Sequence, residues 1–219
     1  MSSAITRPRL PRPASLTSTP VEELVEEAHL VATSVNHGTL RILDVPQATI
    51  QQSSFMTVEL AGADMTGLTA VDCRFDACDL SNTTISNARW TRVEATGCKL
   101  SGALLNQTLL QDVRFLECRA DYAQLQSITS QRVAFEDCSL HHAFFNNADL
   151  RGVSFISCDL SKTDFSHAML EGVDLRGSNL EDIVVTIDQL RGVTVTSDQA
   201  LYLCGLVGLQ IDDSAPSLG

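Results

Sequence analysis

Cysteine, histidine and aspartate are the residues of this chain that could do chemistry, and their spacing decides whether they do. Cys78, Cys98, Cys118, Cys138 and Cys158 recur at regular intervals of twenty. Such a series could ligate a metal or exchange disulfides only if its sulfurs converge. His141 and His142 are adjacent, so their side chains diverge, and neither has a Cys or an acid at metal-ligand spacing. Asp149, Asp159, Asp164 and Asp174 fall at multiples of five from one another. Carboxylates do acid–base work when a pocket raises the pKa of one of them. The sequence has no glycine-rich phosphate loop, no nucleophile elbow and no zinc signature. The expectation is a chain that is not an enzyme, needs no cofactor or metal, and acts through its surface.

What positions these residues is a repeat of five. Read at every fifth position from Leu40 to Val195, the chain is apolar everywhere except at Ser130. Seven of the eight Phe and the sole Trp stand in this phase. From Ala63 to Val173, the residue two places before each of them is Ala, Cys, Thr or Val, except Leu68 and Ile128. A large residue at i and a small one at i−2, with a polar residue between, make a short strand of period two. The two residues left over, often Ser, Gly or Asn, make a corner. A period of five fits neither a 3.6-residue helix nor a long strand, so the short strands must coil into a solenoid. Val93, Val113, Val133, Val153, Val173 and Val193 share the interval of the cysteines. Four blocks of five therefore close one square coil, and like residues stack. All five columnar thiols then occupy the inward small position and point the same way, which makes them packing residues. The four aspartates lie at i−1 and face outward.

This pattern resembles the pentapeptide-repeat family, on stretches such as CDLSKTDFSHAMLEGVDLRGSNL and NADLRGVSF. The resemblance implies an all-β, right-handed quadrilateral β-helix over residues 38–195. It also implies kinship with acidic, dimeric members that imitate DNA, occupy the DNA-binding saddle of gyrase and in some cases protect it from inhibitors. The chain lacks the loop insertions that plasmid quinolone-resistance members use for protection. The alternative is a general interaction scaffold of the same family, with a partner other than gyrase.

Charge and ends complete the reading. The segment before Val21 carries +3 and the rest −15; from Val133 onward there are 13 acids and four basic residues. That field repels nucleic acid and attracts basic partners. The partner-binding surface is accordingly assigned to Asp149, Asp159, Asp164 and Asp174. Residues 1–19, with Arg7, Arg9 and Arg12 among prolines, read as a disordered tail. Residues 20–37 read as an N-terminal cap, with Thr19 as N-cap and Pro20 at N1 of a short helix or turn. Residues 196–211 read as a capping helix stopped by Gly208, and 212–219 as a disordered tail. The helix is apolar all round, so one side plugs the last coil and the other, through Leu203, Leu206 and Val207, pairs with a second copy of the chain. Seven Cys with no export signal and no long apolar run point to a cytoplasmic protein off the membrane.

Overall fold

The computed structural model describes residues 4–12, 15–18, 29–39, 46–206 and 208–210. The chain winds as a right-handed, four-sided β-helix, one pentapeptide to a side. Its strands are β1 (Thr17–Ser18), β2 (His29–Val31), β3 (Thr33–Thr39), β4 (Thr49–Gln51), β5 (Ser54–Glu59), β6 (Thr69–Asp76), β7 (Arg89–Thr96), β8 (Leu109–Leu116), β9 (Thr129–Glu136) and β10 (Ser154–Ile156). All pair in parallel, and from β2 onward each residue pairs with its counterpart one full coil away, as Phe55 does with Phe75. One ladder runs through Ser34, Ser54, Arg74, Glu94, Arg114, Ala134, Ser154, Asp174 and Thr194. Backbone groups along the axis are satisfied by the adjoining coils: the Leu80 N–H donates to the Lys99 carbonyl at 2.7 Å, and the Asp79 N–H to Val58 at 2.9 Å.

The corners explain the composition between the apolar positions. Every fifth residue from Gly62 to Asp182, always the one at i+2, has φ in the left-handed region. None of them is β-branched, the class for which that conformation costs most. The strands of β6 to β9 run unbroken through two adjacent sides of the square, while the other two sides are joined by isolated bridges.

Inside, the i and i−2 side chains form one continuous core from Leu30 to Leu203. Phe55, Phe75, Phe115, Phe135 and Phe155 occupy one column, with Ala95 in register between Phe75 and Phe115. Trp90, from the neighbouring side of the same coil, fills the space that Ala95 leaves. Its ring stacks on Phe75 at 5.7 Å and on Phe115 at 6.1 Å, between Phe55–Phe75 at 5.0 Å and Phe115–Phe135 at 4.7 Å. Ser130, the polar exception, donates its hydroxyl to the Asp149 carbonyl at 2.6 Å.

The ends differ from expectation at the front. The helix or turn expected from Thr19 and Pro20 falls on residues 19–28, outside the described residues. Residues 29–39, drawn largely as cap, already carry coil strands β2 and β3, because their backbone pairs with β4 and β5. Residues 4–12, expected as a disordered tail, lie along the rod. The Thr6 N–H donates to Asp112 Oδ1 at 3.0 Å and the Arg9 N–H to Asp72 Oδ1 at 2.9 Å. β1 then pairs with β3 and covers its open edge, the place where a solenoid is most exposed to unwanted pairing.

At the back, a 3₁₀ turn over Ile187–Leu190 leads to helix α1 (Ser197–Leu206). Thr186 and Thr196 stand before them, each followed three places later by a glutamine, Gln189 and Gln199. Gln199 Nε2 donates to the carbonyls of Leu175 and Ser178, both at 2.7 Å, and Gln189 Nε2 does the same to Phe165 and Ala168 at 2.7 and 2.9 Å. These amides supply the Ala168 and Ser178 carbonyls with a donor and add a second one to those of Phe165 and Leu175, which already accept the Ala168 and Ser178 N–H groups. Gly208 takes φ +81° beyond the helix, and residues 212–219 lie outside the described residues.

Candidate binding surface

Asp149, Asp159, Asp164 and Asp174 all point outward, but each stands on a different side of the square. Their neighbours along the axis are uncharged: Thr129 and Met169 flank Asp149, Ser139 and Asn179 flank Asp159, Phe144 and Val184 flank Asp164, Ser154 and Thr194 flank Asp174. The four form a girdle around the rod rather than a stripe along it.

Each carboxylate also has a local task that the repeat pattern alone did not disclose. Oδ1 of Asp159, Asp164, Asp149 and Asp174 accepts the backbone N–H of the residue two places on, at 3.1, 2.8, 3.3 and 3.1 Å. This closes the corner as an Asx turn, which is why Asp suits i−1 before a left-handed residue. Asp149 and Asp174 are further bound by the guanidinium of Arg151 and Arg176, with Nη2–Oδ2 at 2.7 Å in both. These Arg side chains hold both carboxyls below the ordinary carboxylate range. At Asp159 and Asp164 partial burial pushes the carboxyl up, but hydrogen bonds from Ser161, and from Ser166 and Asn146, outweigh it. None has the raised pKa of a general acid.

The same conversion of acid into structure is stronger on the coils of β6 to β9. Asp72, Arg92, Asp112 and Arg132 alternate in one corner column, one to a coil. Arg92 Nε and Nη2 clasp Asp72 at 2.7 Å each, and Arg132 clasps Asp112 at 2.7 and 2.6 Å. Beside them Arg114 reaches Glu136 at 2.5 Å and Glu94 at 3.8 Å, and Arg74 reaches Glu94 at 3.6 Å. Toward the C-terminus cations become sparse, with Arg191 alone after Arg176. Glu181, Asp182, Asp188 and Asp198 are exposed, and no ion pair joins them to a cation among the described residues.

Among the residues assigned to dimerisation, Leu203 is buried in the core beneath α1, whereas Leu206 is 44% exposed. Val207 lies outside the described residues. Leu201, Tyr202 and Leu209 join Leu206 in leaving apolar surface at the tip of the rod. Leu203 is thus committed to plugging the last coil, a division of labour that an all-round apolar helix hides from the sequence.

The columnar cysteines are free and buried, and each thiol bonds a carbonyl of the preceding coil, as Cys98 Sγ does to Phe75 at 3.3 Å. Burial pushes the neighbouring Cys73 thiol up to about 12, away from the reactive thiolate. No group of three or more His, Cys, Asp or Glu among the described residues could hold a metal ion. No helix among them is long and apolar enough to cross a membrane.

A family model described as the pentapeptide repeat region matches residues 68–145 and 128–202. No curated protein matches by sequence. Among solved structures, the chain is 22% identical to a trypsin-treated variant of QnrB1, described as a plasmid-mediated fluoroquinolone resistance protein, covering 90% of this chain and 100% of that one with a TM-score of 0.38. It is 18% identical to HetL, described as a pentapeptide repeat protein involved in heterocyst differentiation regulation from the cyanobacterium Nostoc, covering 79% and 91% with a TM-score of 0.43. It is 17% identical to Rfr23, a pentapeptide repeat protein from the cyanobacterium Cyanothece, covering 80% and 97% with a TM-score of 0.25. With the family model matched over residues 68–202, and with inward residues at i and i−2 and a left-handed corner at i+2 repeated through Asp182, the chain belongs to the pentapeptide-repeat family.

Proposed function

We propose that this protein is a non-enzymatic binding protein that presents carboxylates where DNA presents phosphates, and so engages the basic DNA-binding surface of gyrase or a related type II topoisomerase. The observation that carries the reading is the run of exposed acids, Glu181, Asp182, Asp188 and Asp198, at the end of the rod, where Arg191 is the sole basic residue after Arg176 and no ion pair joins the acids among the described residues. A cationic partner would complete their charge, and the field they make would steer it to this end. Asp159 and Asp164, held by hydrogen bonds alone, extend the anionic surface back along the coils. Two rods joined at the exposed residues Leu201, Tyr202 and Leu206 of α1 would set two such ends side by side and make one long anionic body. Topoisomerase-inhibitor resistance would follow if the bound rod kept a drug from its site.

A column of uncharged side chains along the rod favours the second reading, an interaction scaffold with another partner. Ser86, Asn106, Gln126, Asn146 and Ser166 stack there without a charge between them. DNA supercoiling by gyrase, assayed with the purified protein at rising salt, separates the two. The mimic inhibits at low salt and loses that effect steeply as exposed charges are screened over ~10 Å near 0.1 M. A protein without effect on gyrase at low salt leaves the scaffold.

A further inference from the structure

Residues 4–12 touch the rod with a period that matches it. Ile5, Pro8 and Pro11 are half-buried, as is Leu10, while Thr6, Arg7, Arg9 and Arg12 are exposed. Pro8 and Pro11 fix their own φ and hold the residues before them extended. An extended chain of this kind repeats every three residues and advances ~3.1 Å per residue, so Thr6 and Arg9 face the same way roughly 9.3 Å apart. Asp112 and Asp72, which accept their N–H groups, are two coils apart, or roughly 9.6 Å at ~4.8 Å per coil. The repeat of the segment and the repeat of the rod therefore coincide.

The receiving column is built independently of the segment. Arg92 and Arg132 hold both oxygens of Asp72 and Asp112 in place, leaving Oδ1 of each to accept a further donor from outside. The segment is seated lightly. Beneath Arg7 and Pro8 a cleft of about 270 Å³ separates it from Glu94, Arg114 and Glu136. Arg92 first, then the Arg9 N–H and the Arg9 charge, hold the Asp72 carboxyl low, so a cation beside the donor suits the site.

We propose that the Asp72–Arg92–Asp112–Arg132 column is a docking groove for an extended, proline-containing, basic peptide segment of a partner protein, and that residues 4–12 occupy it as a tethered competitor. Recognition rests on two backbone N–H groups three residues apart, with prolines preserving the extension and a basic residue at the position of Arg9 favouring the Asp72 carboxylate. A partner that carries such a segment displaces the chain's own. The inference is independent of gyrase binding, since the groove lies on the coils of β6 to β9 and the unanswered acids lie beyond them.

The test uses the full chain with Thr6→Pro and Arg9→Pro, which removes both donors and leaves the groove intact. A fluorescent peptide of residues 1–14 is titrated into this chain and into the wild type, and its anisotropy is read. Saturable binding is expected to the Thr6→Pro/Arg9→Pro chain, with at least ~10-fold weaker binding to the wild type, whose own segment competes. Adding Asp72→Ala and Asp112→Ala abolishes binding. A peptide with one glycine inserted between Pro8 and Arg9 loses the register and binds at least ~10-fold more weakly, a comparison that holds even if the aspartate variant fails to fold. Absence of saturable binding to the donor-free chain overturns the groove. Equal binding to both chains overturns the tethered competitor, and equal binding of the glycine-inserted peptide overturns the register.

Discussion

Asp72, Asp79, Glu94, Asp112 and Glu136 each meet a cation from a neighbouring coil, whereas Asp149 and Asp174 meet only the arginine two places further on. The core beneath both regions is the same, one aromatic stack from Phe55 to Phe155 continuing edge-on to Phe145 and Phe165. The difference lies in what surface charge is used for. An ion pair between coils neutralises the acid and ties one coil to the next. A pair within a corner closes that corner and ties nothing else. The first region has turned its charge into structure and received the N-terminal segment. The second, richer in acids and poorer in cations, keeps charge available for a partner.

The comparison is broken most severely through the core. If the two regions differ only at the surface, Phe135→Ala and Phe155→Ala should each cost ~3–5 kcal/mol, measured by denaturant unfolding. A much smaller loss for Phe155→Ala would mean that the C-terminal coils are loosely packed, and that their free acids follow from a weak core. Next in size is the plug. Gln199→Leu leaves the Ser178 carbonyl without its donor and the Leu175 carbonyl with only the Ser178 N–H, and should cost ~1–3 kcal/mol. Hydrogen exchange should rise in the last coils and stay unchanged around β6 to β9.

Acid sharpens the contrast. Arg132 and, after it, the Thr6 N–H hold Asp112 at about 2. Its folded pKa is below that of the unfolded chain, so its stabilisation is full above the ordinary aspartate range near pH 4 and is lost as pH falls through about 2. Asp112→Asn should therefore flatten the stability loss between pH 4 and 2, read from thermal midpoints. The smallest effect is expected from Arg151→Gln, which frees Asp149 from a solvent-exposed pair. Stability should barely move, while binding to a cationic partner at low salt should tighten. A loss of binding would show that Arg151 is itself a contact.

Much of this was legible in the residues. The alternation of large i and small i−2 side chains, in phase from Leu60 to Leu180, leaves one closed arrangement because the sides must bury both. The inert role of Cys78 to Cys158 follows from the same phase, as does the outward direction of the four aspartates. The capping glutamines carried a signal that went unread: Thr-Ile-Asp-Gln and Thr-Ser-Asp-Gln, beginning at Thr186 and Thr196, each place a capping box where the coils end. The docking of residues 4–12 had no such signal. A short segment rich in Pro and Arg has the composition of a tail, and only the spacing of Asp72 and Asp112 in three dimensions gives its N–H groups a destination.

Period and phase thus determined the path of the backbone, since every pentapeptide meets the same local demand whatever its neighbours are. The fate of each charge was decided by the tertiary structure. Asp72 and Asp159 are both outward acids in the repeat, yet one is clasped by Arg92 and covered by the segment while the other binds only Ser161 and Asn179. Electrostatic pairing depends on which residue stands one coil away and what crosses the corner, and those distances exist only once the coils have stacked.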